Sequence, residues 1–136
     1  GVSNGRSIFY EHETGSDQTR RYSTGNVVSA IASSIRSGDF DLDVDGDGQY
    51  YMSVRRFIPD FKHLNGTANV TIYLRRFPND TATGSPLGPF TVSTSTEQVW
   101  TRARSRLASF KVSADELASN WRYGLFRFDS RPDGMR

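Results

Sequence analysis

Cysteine is absent from this 136-residue chain, so neither a disulfide nor a thiolate-held metal contributes to it, and its redox compartment stays open. Long apolar runs are missing as well. Nothing approaches the roughly 20 consecutive apolar residues that cross a bilayer as a helix, and no signal-peptide pattern opens the chain. No membrane partner is expected. Lysine is scarce: Lys62 and Lys111 are the two lysines among 17 basic residues, and the other fifteen are arginine. A formal net charge of +2 excludes reading the basic pI, about 9.2, as a nucleic-acid signature by itself. HExxH spacing, a GxSxG elbow and a P-loop are all missing, so the chain is expected not to be an enzyme.

What is abundant is aromatic: 9 Phe, 6 Tyr and 2 Trp in a chain only 35% hydrophobic. Strands favour aromatic and β-branched residues, and 12 Gly with 5 Pro supply turns. The length fits one domain over 1–136. The expected fold is mainly β: an antiparallel, jelly-roll-like β-sandwich of about seven or eight short strands with at most one short helix.

Residues 1–26 read as a less ordered lead-in, with a strand over 8–13 and a loop or hairpin over 14–26. Over 27–38, Val27, Val28, Ile31 and Ile35 fit a short helix, while Val27, Ser29, Ile31 and Ile35 equally share a strand face. Phe40 and Leu42 alternate with aspartates before Asp45-Gly46-Asp47-Gly48, and alternation resumes from Tyr50 to Phe57. This predicts a hairpin, with Pro59 ending the second strand or placing it at an edge. In ANVTIYLRRF, Val70, Ile72 and Leu74 face one way and Thr71, Tyr73 and Arg75 the other. Towards the C-terminus, Arg102, Arg104 and Arg106 alternate with Ala103 and Ser105. Leu125, Arg127 and Asp129 alternate with Phe126 and Phe128. These two runs read as neighbouring strands, followed by a turn over Arg131-Pro132-Asp133-Gly134.

Two groups of residues could carry function. The arginines Arg102, Arg104 and Arg106, with Arg122 and Arg127, form a candidate face for a subunit contact or for DNA. Arginine's planar fork suits carboxylate and phosphate, but 15 acidic residues nearly balance the charge, so pairing with aspartates is the favoured use. The pairs Arg20-Arg21, Arg55-Arg56 and Arg75-Arg76 recur at strand ends. The second group, Asp41, Asp43, Asp45 and Asp47, resembles a calcium loop. Set at Asp41, however, the twelfth position is Met52 where a bidentate Glu is needed, so the solvated hairpin is the favoured reading and no cofactor is expected beyond a weak calcium site. His12 and His63 lack metal-ligand spacing. The Asn65, Asn69 and Asn79 triplets match the glycosylation pattern and read as composition.

Together, SGDFDL with its DGDG turn, VRRFIPDF, GPFTVSTSTEQVWTRARSRLASFKV and NWRYGLFRFDSRPDGMR resemble the C-terminal region of tail proteins of short-tailed bacteriophages, of the nozzle or tail-tube type. The resemblance covers residues 37–61 and 88–136. It implies a structural virion protein in the phage tail that assembles with copies of itself and with neighbouring phage proteins, with packaged DNA as a further partner through backbone contacts. With Gly at position 1, it also implies a fragment of a larger virion protein or a small separate subunit. The competing expectation is a monomeric carbohydrate- or calcium-binding module using the aspartate run and exposed Tyr50, Tyr51 or Trp121.

Overall fold

In the computed structural model the chain is described at residues 2–3, 6–7, 15–42, 50–80 and 85–134. Among these residues there is no helix. β1 (Val2–Ser3) and β2 (Arg6–Ser7) make a short pair, and β3 (Asp17–Tyr22) and β4 (Gly25–Ala30) make a hairpin. β5 (Ser33–Arg36), β8 (Ala68–Arg75), β9 (Ser85–Val92) and β11 (Leu107–Ala114) form a four-stranded sheet in the order β5-β11-β8-β9. β6 (Met52–Ile58), β10 (Val99–Ser105) and β13 (Arg127–Pro132) form a three-stranded sheet in the order β10-β6-β13. β7 (Phe61–Asn65) and β12 (Asn120–Tyr123) pair separately. Every pairing is antiparallel.

The larger sheets share one core. Met52, Val54, Phe57 and Ala103 come from the three-stranded sheet, and Ala68, Val70, Ile72, Ala108 and Val112 from the four-stranded one. Period-two alternation explains the four-stranded side: Val70 and Ile72 are fully buried, while Thr71 and Tyr73 are half-buried on the other face. An aromatic spine joins the elements. Phe126 stacks on Phe110 at 4.1 Å and on Phe57 at 5.2 Å, and Phe128 meets Phe40 at 5.1 Å. Phe61 then sets its ring edge against Trp121 and Tyr123. Such pairs add about 0.5–1.5 kcal/mol each beyond burial of area. Here the aromatic-rich composition does its structural work.

Mainly β is the observed class, but the described residues form more strands and more sheets than one seven- or eight-stranded jelly roll. Of the two readings open over 27–38, the extended one is observed, because β5 adds to β11 with Ile35 opposite the buried Val112. Three local expectations change. The expected hairpin from Phe40 to Phe57 does not form between its arms. β6 has both edges taken by β10 and β13, and Phe40 bridges Ala108 instead. Its turn residues 43–49 lie outside the described residues, as does the strand expected over 8–13. The runs around Arg104 and Asp129 share a sheet without being neighbours, since β6 separates them. Finally, Arg131 to Gly134 extends the ladder rather than turning. Asp133 N–H donates to the Tyr51 carbonyl and Tyr51 N–H to that of Gly134, each at 2.7 Å. Gly134 holds a φ of 79°, a region only glycine enters freely. Pro59 does follow the last residue of β6.

Candidate arginine face

β6 cannot alternate strictly, because Val54 and Phe57, three residues apart, are both buried. Register shifts opposite Arg55 resolve this conflict on both sides of the strand, between Trp100 and Ala103 on β10 and between Asp129 and Ser130 on β13. A bulge of this kind re-aims side chains. Its effect is to set both Arg55 and Arg56 on the face away from the core.

Cross-strand register then assembles that face. Trp100 lies opposite Arg56, which lies opposite Asp129; Arg104 lies opposite Ser53, which lies opposite Arg131; and Arg127 lies opposite Ile58. Arg55, Trp100, Arg102, Arg104 and Asp133 line an open, shallow depression of about 540 Å³. Trp100 is 65% exposed, the most exposed large hydrophobic side chain among the described residues.

Part of the face is internally paired. Arg104 Nε donates to Asp133 Oδ2 at 2.6 Å and its Nη2 to the Asp133 carbonyl at 2.9 Å. Arg56 Nε approaches Asp129 Oδ2 at 3.3 Å, its Nη1 donates to Gln98 Oε1 at 2.8 Å, and its guanidinium stands 5.6 Å from the Trp100 ring. Such half-exposed pairs contribute about 0.2–1 kcal/mol each. The guanidinia of Arg104 and Arg106 cover Tyr51 at 4.3 and 4.9 Å, leaving it only 9% exposed. Arg55, Arg102, Arg127 and Arg131 are exposed and make no ion pair among the described residues. The face therefore has cations locked by its own aspartates and cations still presented outward.

Of the arginines expected to act together, Arg102, Arg104 and Arg127 share this face. Arg106 stands at its corner after β10, over Tyr51 and Phe77. Arg122 does not belong: it is on β12 opposite His63, in another sheet. Arg55, Arg56, Arg131 and Trp100 are the additions. Arg131 continues the period of Arg127 and Asp129, a visible signal; Arg55 and Arg56 needed the bulge. Elsewhere Arg75 pairs with Asp39 at 3.0 Å, and Arg36 lies over Tyr73 at 4.0 Å, so these arginines serve the fold.

Of the competing site residues, Tyr51 and Trp121 are less exposed than expected. Tyr51 is roofed by two arginines. Trp121 is half-buried against Phe61, with its indole N–H donating to Ser33 Oγ at 3.0 Å, so neither ring is an open platform for a sugar. Asp41 is exposed, whereas Asp43, Asp45 and Asp47 lie outside the described residues, as does His12. His63 Nε2 is 2.6 Å from Asn120 Oδ1. Among the described residues no group of three or more metal-ligating side chains converges, and no helix is long and apolar enough to cross a membrane. Asn65 and Asn69 spend their side chains on Ala118 O and on Thr91 Oγ1.

One titratable group is displaced. Burial among the aromatics, and secondarily the charge of Asp60, push the Tyr123 phenol well above its usual value of 10.0. Its hydroxyl has no hydrogen-bond partner among the described residues. It belongs to the spine, remote in role from the arginine face. No protein-family model matches this chain, and a search of curated proteins finds no match.

Proposed function

We propose that the chain is a structural module of a phage tail, of the nozzle or tail-tube type, which joins neighbouring subunits through the outer face of the β10-β6-β13 sheet. The single observation that carries this reading is the face itself: four outward arginines and an exposed tryptophan on one side of the β10-β6-β13 sheet. Arginine and tryptophan are the residue types that dominate contact energies when an interface closes over them. A bidentate guanidinium fits a partner's carboxylates, and the ring supplies apolar area beside them. The three- and four-stranded sheets would then be the two layers of the sandwich expected for such a module. The motif resemblance supplies the virion setting, and the face supplies the means of assembly.

The test is to replace Arg55 and Arg102 together by serine and count assembled tails. Both are exposed and outside any ion pair among the described residues, so the fold should keep its melting point. Loss of tails with an unchanged melt supports the proposal. Normal particle yield and infectivity would remove the face from assembly.

A further inference from the structure

We propose that the tip between β11 and β12, Asp115-Glu116-Leu117, docks on the arginine face of a second copy of this chain. The inference rests on that face being a subunit contact and names what it contacts. All three tip residues are exposed, and Leu117 is 58% so, a large apolar side chain displayed between charges and solvent. A lone exposed leucine is ordinary. This one is held in place. Ala118 N–H donates to both carboxylate oxygens of Asp17, at 2.8 and 2.9 Å, and its carbonyl accepts from Asn65 Nδ2 at 3.2 Å. Ser119 N–H closes the turn onto the Glu116 carbonyl at 3.3 Å. Ala118 itself has a φ of 58°, a left-handed conformation unfavourable for a non-glycine residue that these bonds hold. The tip is a pre-organised projection, so little conformational freedom is lost when it docks.

Its chemistry complements the face. Asp115 and Glu116 offer carboxylates to the forks of Arg55 and Arg102, and Leu117 offers apolar surface to Trp100. Both hydrophobic members are exposed in the single chain, and both would be buried together by one contact. The geometry points to a second copy. β11 begins beside Arg106, at the corner of the face, and ends beside Asp115. Eight extended residues lie between Arg106 and Asp115, roughly 30 Å of chain, so the tip is far from that corner of the face. The tip and the face are different surfaces of the chain, so their contact is heterologous, head-to-tail, and closes into a ring or continues as a stack according to the rotation between copies.

Charge exchange tests this in the full chain, reading native mass. The unaltered chain should exceed its single-chain mass of 15.3 kDa. Asp115→Lys with Glu116→Lys should reduce it to that mass, as should Arg55→Glu with Arg102→Glu. Mixing the two altered chains should restore assembly with the two kinds alternating, since each tip then meets a face of opposite charge, and one chain carrying all four changes should regain it alone. Leu117→Ser, which leaves every charge in place, should also weaken assembly, and circular dichroism checks that each variant is folded. If the arginine variant falls apart while the tip variants stay assembled, the tip is overturned and the face remains a contact for something else. If neither set changes the mass, both readings fall. A single-chain mass for the unaltered protein at every concentration, or a fourfold variant that does not reassemble, overturns the tip proposal.

Discussion

Strand β6 carries two chemistries within seven residues. Towards the core it presents Met52, Val54 and Phe57, each at most 1% exposed. Away from the core it presents Ser53, Arg55 and Arg56, with Tyr51 just before it. The inner set is apolar and close-packed, and its energy comes from removing carbon from water. The outer set is cationic and half-wet, and its ion pairs contribute little to stability. The same strand therefore stabilises the fold through one face and leaves the other available for recognition. The bulge at Arg55 makes this division possible, because it keeps both Val54 and Phe57 inside while both arginines point out.

The comparison breaks most sharply at Phe57. Truncation to alanine removes a fully buried ring that stacks on Phe126 and meets Phe90 edge-on, and should cost about 3–5 kcal/mol in a denaturant melt. A loss under about 1 kcal/mol would show that the inner face is not the source of stability. Next comes Gly124. A Cβ there would stand 2.7 Å from the Asp60 carbonyl, so the Gly124→Ala variant must shift backbone and should lose about 1–3 kcal/mol. An unchanged melting temperature would contradict the tight β7–β12 approach.

Much of the inner face was legible beforehand and much of the outer was not. Alternation in ANVTIYLRRF places Val70 and Ile72 in the core correctly, because one face of that strand is buried and period two is enforced along it. The paired Arg55-Arg56 defeats the same rule, since a bulge changes the period at that spot. Strand partners were harder still. The glycine-rich turn after Leu42 reads as a hairpin, but the edges of β6 are claimed by strands far away in sequence, and no local signal reports that competition. The arginine alternation through Arg102 and Arg104 was visible. Which arginines would find aspartates was not, because Asp129 and Asp133 reach them only through the sheet.

Tyr123→Phe sharpens the comparison more gently. Its phenol stays protonated in the fold above 10.0, whereas an unfolded chain gives up the proton there, so stability is full below pH 10.0 and falls as pH rises beyond it. The variant should match the unaltered protein near neutral pH and lose less stability in alkaline melts. Identical alkaline slopes would place the phenol in water. The smallest effect belongs to Arg102→Ser on the outer face, which should change stability by no more than about 0.5 kcal/mol in the same melts. A larger loss would mean that this face supports the fold after all.

The most direct test of an outer face made for assembly is native mass at two salt concentrations. At about 0.1 M salt the screening length is roughly 10 Å, and at about 1 M it is roughly 3 Å. The account predicts an assembly well above 15.3 kDa at the lower salt that shrinks towards the single chain at the higher, with an unchanged circular dichroism spectrum. A single-chain mass under both conditions, or an assembly indifferent to salt, would contradict it.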